Sequence, residues 1–269
     1  MSYEIITSLQ NPKIKNILRL EEKASERKSQ NLIVIEGTKE LELAIKGHVD
    51  FQSLFFCYDL ISERDFEKIF KDYLQKTQIF EVSKQVFEKI AYRENIFGVV
   101  ALAKPKFLTL DTLKLSKSPL ILVLENVEKP GNLGAILRTA DAAGVDAILV
   151  CNPQTDIFNP NAIRSGLGCV FTKQVVACTN EQALEFLKKN NIQMLATALT
   201  ASKPYTQIDY KKPTAIILGT EATGLTDFWI KNASQNIIIP MGGEIDSMNV
   251  SVTAAIVTFE AIRQRDSHE

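Results

Sequence analysis

The sequence predicts an α/β protein of two domains, the second built on a parallel sheet. Three observations carry this. The 269 residues exceed the usual length of one domain. Strand-like and helix-like stretches alternate along most of the chain. Beyond residue 119 the strands become continuous apolar runs at 120–124, 147–150, 215–218 and 237–239. Runs without polar alternation are buried on both faces, as in a parallel sheet covered by helices.

The elements follow in order. Segment 11–30 carries Ile14, Ile17, Leu18 and Leu20 at helical spacing among Lys13, Lys15, Arg19, Lys23, Arg27 and Lys28. It reads as a charged amphipathic helix, either a solvated face or a basic edge able to follow a phosphate backbone. A β-like run at 32–35 closes on Glu36-Gly37 and leads into a helical stretch through Ile45. A strand at 51–58, a helix at 63–76, a strand at 79–82, a helix at 85–91 and a strand at 97–103 complete a small α/β domain over 1–104. Lys104-Pro105-Lys106 and Ser116-Lys117-Ser118-Pro119 bracket a weakly periodic stretch, read as a linker over 105–118. In the second domain, 119–269, helices at 133–143, 182–189 and 250–263 cover the sheet. The last of these is apolar nearly all round, with Val250, Val252, Ala254, Ala255, Ile256, Val257, Phe259, Ala261 and Ile262. Such a helix is covered on more than one side: inside the domain, at a subunit interface, or both.

Composition excludes several classes. With 45% hydrophobic and 23% charged residues the chain buries a core and is not disordered. A net charge of −1 advertises neither a nucleic-acid binder nor a membrane-surface protein, so any polyanion site is a local patch. Cys57, Cys151, Cys169 and Cys178 form no CxxC pair, and His48 and His268 lie far from metal-ligand spacing. The expectation is four reduced thiols and no metal. A signal-peptide pattern and any long apolar span are missing, which predicts a cytoplasmic protein without a membrane helix.

Of the common nucleotide motifs, neither G-x-x-x-x-G-K-[ST] nor G-x-G-x-x-G occurs, and Gly166-Leu167-Gly168 lacks the third glycine. Two histidines, one at the end of the chain, argue against a Ser–His–Asp triad. Three strand-end loops are rich instead. The first, 125–140, has a Pro130-Gly131 turn, Asn132 near a helix start and Arg138 about two turns on; an amide and an arginine at a sheet edge suit a phosphate or hydroxyl. The second, 218–225, is a glycine turn with one carboxylate, Glu221. The third, 239–252, carries Ser247 and Asn249 into the apolar terminal helix. Each loop alone also reads as a plain turn with a helix cap.

Together and in this order the loops resemble the signature motifs of the SpoU (TrmH-type) RNA ribose 2′-O-methyltransferases of the SPOUT superfamily. The matching phrases are Asn132-x-Gly134-Ala135 with Arg138-Thr139-Ala140, Gly219-x-Glu221 with Gly224-Leu225, and Ile239-Pro240-Met241 with Ser247-Met248-Asn249-Val250-Ser251-Val252. The resemblance spans 119–263, and Asn11-Pro12-Lys13-Ile14-Lys15 with Val34-Ile35-Glu36-Gly37 resemble an N-terminal substrate-binding domain similar to RNA-binding ribosomal proteins. The chain departs from the pattern at Lys129, where an acid is common, at Ala222, at Met248 and at Gly166.

The resemblance implies a C-terminal domain closed by a deep trefoil knot, S-adenosyl-L-methionine as cofactor, and a homodimer through the C-terminal domain with the terminal helix near its interface. It places cofactor contacts on Gly219, Ile239, Met241 and Met248, and catalytic roles on Arg138, Asn132, Glu221, Ser247 and Asn249. From the residues alone, Ile239 and Met248 read equally as plain core. Arg138 is expected in the cleft, holding RNA phosphate and stabilising the developing alkoxide, because a guanidinium with a pKa above about 12 is a poor base. The implied partner is RNA, ribosomal RNA first. A tRNA ribose 2′-O-methyltransferase and a non-catalytic RNA-binding member of the fold stand as alternatives.

Overall fold

The computed structural model describes residues 3–91, 97–200, 202–220, 223–244 and 247–266. Two packed units divide the chain. One is Met1–Lys106 together with Phe158–Thr172; the other is Phe107–Ile157 together with Lys173–Glu269. Segment 158–172 thus belongs with the first unit and not with the second domain, 119–269, that the sequence predicts.

In the first unit, β1 (Glu4–Ile6), β2 (Ile33–Glu36), β3 (Asp50–Phe56), β4 (Gln78–Val82) and β5 (Val99–Lys104) form a sheet in the order β1-β4-β3-β5-β2. It is mixed: β4 runs parallel to β1 and β3, while β5 runs antiparallel to β3 and β2. Segment 11–30 is two helices rather than one. α1 (Pro12–Glu22) starts where the Asn11 side chain accepts from the Lys13 N–H and Pro12 occupies the first turn. The backbone extends at Lys23, and α2 (Ala24–Gln30) follows, with α3 (Thr38–Lys46), α4 (Glu63–Phe70) and α5 (Lys84–Ile90) next along the chain. Ile14, Ile17 and Leu20 on α1 are buried in a core shared with Phe55, Phe80 and Phe87. Arg27 does not belong to a basic edge: it is buried and donates to the carbonyls of Leu20 and Glu21, satisfying the end of α1. Lys15, Arg19, Lys23 and Lys28 remain exposed.

A short helix from further along the chain, α7 (Pro160–Ser165), packs on β2. It brings Arg164 to 3.8 Å from both Glu21 Oε1 and Glu36 Oε2, with all three side chains largely buried. Glu21 Oε1 accepts no hydrogen bond among the described residues. Its burial, reinforced by the Glu36 and Glu22 charges and opposed by Arg164, raises the carboxyl from 4.5 to about 7. An acid whose pKa is raised by folding holds a proton that the unfolded chain releases. Its stabilising effect is therefore complete below pH 4.5 and is lost as pH rises towards about 7. Glu21→Gln is expected to flatten that fall, measured by urea unfolding at about pH 5 and about pH 7.5. An unchanged pH slope would assign the effect to another group.

The second unit holds β6 (Leu120–Glu125), β7 (Ala147–Cys151), β8 (Val175–Cys178), β9 (Gln193–Thr197), β10 (Lys203–Pro204), β11 (Thr214–Leu218) and β12 (Gln235–Ile238). Their order is β10-β12-β9-β11-β6-β7-β8, and every neighbouring pair is parallel. β6, β7 and β11 are buried along their whole length, as their apolar runs predict. α6 (Pro130–Ala142) takes Pro130 in its first turn. α8 (Asn180–Lys189) opens on a capping box between Thr179 and Gln182. α9 (Asp227–Asn232) buries Trp229. The stretch read as a linker is not loose: Leu108, Leu110, Leu113 and Leu115 pack against this unit's core.

α10 (Val250–Asp266) lies along α6 and buries Ala254, Val257 and Ala261. Its end is held by Arg265, which donates to the carbonyls of Tyr210, Ser118 and Lys212. Val252 and Phe259 stay 47% and 48% exposed, so part of the all-round apolar surface is uncovered within one chain. No helix among the described residues is long and apolar enough to cross a membrane.

Candidate active site

Parallel strands present their following loops at one edge of a sheet, which is where α/β proteins bind ligands. Here β6, β11 and β12 are followed by the three motif loops. After β11 the chain passes Gly219 and closes a tight turn. Thr220 N–H donates to Gly224 O at 3.1 Å, Gly224 N–H returns to Thr220 O at 3.0 Å, and Thr223 N–H donates to Thr220 Oγ1 at 3.1 Å. Gly224 has φ +67°, the left-handed region that favours glycine. A Cβ on Gly219 would overlap the backbone of Gly224, so this position admits no side chain without opening the turn.

A cavity of about 380 Å³ lies against that turn. Gly219, Ile239, Met241, Ser247 and Met248 all line it, with Leu199, Ile237 and Ile238 adding apolar wall. The four residues expected at the cofactor therefore share one cavity with one expected catalytic residue. A smaller pocket of about 80 Å³, lined by Glu125, Lys129, Asn132 and Ile136, adjoins it and shares Leu218, Gly219, Thr220 and Val250. Asn249 links the first and third loops: its Nδ2 donates to Asn132 Oδ1 at 3.2 Å, while its Oδ1 accepts from the Ser251 N–H and hydroxyl in the first turn of α10.

Arg138 departs from expectation. It is exposed on α6 and lines neither cavity, and its guanidinium has no hydrogen bond or ion pair with a described residue. Helix phase explains this. Asn132 and Ile136 face the pocket; six residues beyond Asn132, at about 100° each, turn Arg138 about 240° round the helix. Glu221 lies outside the described residues. Sequence reasoning missed Glu125, buried at the end of β6, and the wall residues Thr197, Leu199 and Thr220. An acid directly after five buried aliphatics was the available signal for Glu125. Among the described residues no group of three His, Cys, Asp or Glu is placed to hold a metal ion.

A parallel α/β unit with a loop-built apolar cavity and an amide pair beside it defines a small-molecule binding site at the carboxyl edge of the sheet. The comparisons make the class specific. The pattern of the SpoU rRNA Methylase family matches residues 119–259, more than half of the chain, and an MRM3-like substrate binding domain matches 11–101. The chain belongs to the SpoU rRNA methylase family. It is 29% identical over 254 residues to the 23S rRNA (guanosine(2553)-2′-O)-methyltransferase RlmP of Bacillus subtilis, covering 94% of this chain and 97% of that protein. A crystal structure of an RNA 2′-O ribose methyltransferase matches with TM-score 0.83 and 37% identity, over 97% of this chain and 99% of that one. The AdoMet-bound rRNA methyltransferase of Sinorhizobium meliloti matches with TM-score 0.89 and 29% identity, over 97% of this chain and 98% of that one.

The residues fit S-adenosylmethionine. The cavity volume falls within the range of about 300–1,000 Å³ usual for small-molecule sites. Its aliphatic wall suits an adenine face, and Gly219, where a Cβ would collide with the Gly224 backbone, lets the turn fold tightly against the cavity. Gly219→Ala is expected to weaken S-adenosylmethionine binding by about tenfold or more, about 1.4 kcal/mol, in calorimetry on protein that keeps its circular dichroism. Wild-type affinity in that variant would place the cofactor elsewhere.

Proposed function

We propose that this chain transfers a methyl group from S-adenosylmethionine to a ribose 2′-hydroxyl of ribosomal RNA. The observation that carries the reading is the single cavity lined by residues of the second and third motif loops, joined to the first by the Asn249–Asn132 hydrogen bond. When bound, the cofactor supplies a methyl group on a sulfonium that is its own leaving group. The chain's own residues then have two tasks: to hold the acceptor oxygen in line and to stabilise charge as its proton departs. Positioning of this kind is worth about 7 kcal/mol or more in well-aligned systems.

Ser247, on the cavity wall, and Asn132, on the wall of the smaller pocket and hydrogen-bonded to Asn249, are suited to orient the incoming sugar. Arg138 stands off the wall with its guanidinium exposed, so its task is on the RNA side: it binds a phosphate next to the acceptor and offsets developing negative charge. Glu221 is assigned to orienting the second loop on motif position alone. In the first unit the exposed Lys15, Arg19, Lys23 and Lys28 supply phosphate contacts. The uncovered Val252 and Phe259 on α10 make that helix the surface for a second copy of the chain. Light scattering at micromolar concentration is expected to give twice the chain mass; a monomer would remove the dimer from the account.

The direct test incubates the protein with labelled S-adenosylmethionine and unmodified ribosomal RNA, with tRNA as the comparison arm, and maps the ribose that acquires the label. Label on ribosomal RNA supports the proposal; label on tRNA alone, on a base, or on neither RNA contradicts it. Arg138→Ala is expected to reduce turnover by more than about a hundredfold, about 2.7 kcal/mol, while cofactor binding is kept. Turnover within about tenfold of wild type would free Arg138 of that role.

A further inference from the structure

We propose that Glu125 is a positioning residue for the cofactor cavity, acting through Thr226 and Asn180 on the loop that follows β11; the proposal rests on the methyltransferase reading of that cavity. Glu125 ends β6 and is 1% exposed, a carboxylate at the close of an otherwise aliphatic strand. Burying an ionised carboxylate is costly unless its oxygens accept several hydrogen bonds. Both oxygens are engaged. Oε1 accepts from Asn180 Nδ2 at 2.6 Å and from the Thr226 hydroxyl at 2.7 Å, and Oε2 accepts from the Thr226 N–H at 2.8 Å. The partners are distant in sequence, 55 and 101 residues away.

The arrangement has one orientation. Trp229 Nε1 donates to Asn180 Oδ1 at 2.9 Å, so the Asn180 amide must present its NH₂ to Glu125 and cannot turn over. Three donors therefore converge on Glu125, and only a group with two acceptor oxygens satisfies them. Thr226 gains most from this. It is exposed, immediately precedes α9, and has no side-chain cap of its own, yet both its N–H and its hydroxyl are held by the one buried carboxylate. Thr226 follows directly on Gly224 and Leu225, which line the large cavity and whose backbone Gly219 packs against. The glycine turn is thus tied at both ends, by β11 on one side and by Glu125 through Thr226 on the other. Glu125 itself lines only the smaller pocket, so its effect on the cofactor is exerted through the loop.

The chemistry predicts which substitutions matter. In Glu125→Gln one acceptor oxygen becomes an NH₂, which in either orientation faces a fixed donor, the Asn180 amide or the Thr226 N–H. Thr226→Val removes the hydroxyl alone and keeps the side-chain shape. Thr226→Ser keeps both donors.

The test measures S-adenosylmethionine affinity by calorimetry and, on cofactor-free protein, amide hydrogen exchange at Thr220 and Gly224. Trp229, the single tryptophan, reports by its fluorescence that each variant is folded. Glu125→Gln is expected to weaken affinity by about tenfold or more and to speed exchange at both amides. Thr226→Val is expected to do the same to a smaller extent, and Thr226→Ser to behave as wild type. A general loss of stability would lower the melting temperature without moving affinity at temperatures where the variants are folded. Affinity within twofold of wild type in folded Thr226→Val and Glu125→Gln, with unchanged exchange, overturns the proposal. If Glu125→Gln does not fold, Thr226→Val decides. Wild-type protein with no affinity for the cofactor would defeat the methyltransferase reading instead, and the exchange measurement would still judge the loop.

Discussion

Parallel hydrogen bonding between β6, β11, β9 and β12 is the constraint on which the site depends. Because these strands run in one direction, the loops that follow β6, β11 and β12 emerge at the same edge, although they are separated by some ninety residues of chain between the first and second. Reversal of any one strand would carry its loop to the opposite edge. The buried aliphatic faces of β6, β7 and β11 keep that direction in place, since they must be covered on both sides.

On that edge the division of labour follows from the side chains. Gly219 lets the turn close, aliphatic residues make the wall, and an asparagine pair links the first loop to the third. Asn249 serves both structure and site: it accepts from the first turn of α10 and donates to Asn132 on α6. The helix start and the amide pair are therefore one feature. Arg138 obeys a different logic. Exposed and clear of the cavity, it is free to meet a polyanion without disturbing the apolar slot, which suits an overall charge too near zero to attract RNA by itself.

Much of the second unit was legible in the sequence, because strands buried on both faces leave an aliphatic signature that survives without tertiary information. β8 and β9 were not legible: β8 is four residues long at the sheet edge, and β9 begins and ends on the polar Gln193 and Thr197. The leucines at 108, 110, 113 and 115 looked aperiodic because they pack as an extended, partly turned segment rather than on one helix or strand face. In the first unit the break at Lys23 and the burial of Arg27 were hidden, since charge in a sequence says nothing of whether backbone carbonyls wait nearby to receive it. Gly219, Ile239, Met241, Ser247 and Met248, drawn from two separate motifs, line one cavity in the fold. Arg138 was misplaced for a reason the sequence contained, the helical phase between positions 132 and 138. Glu125 escaped notice because its partners, Asn180 and Thr226, meet it only in the folded sheet.

The central proposal is spatial: a cofactor held by the second and third loops has its methyl group towards the Asn132–Asn249 pair that joins the first loop to the third. A crystal structure of the protein with S-adenosylmethionine measures this directly. The account predicts the cofactor between Gly219, Ile239 and Met248, with its methyl group towards Asn132 and Asn249. Cofactor bound outside that cavity, or bound there with the methyl group turned away from both asparagines, would contradict it.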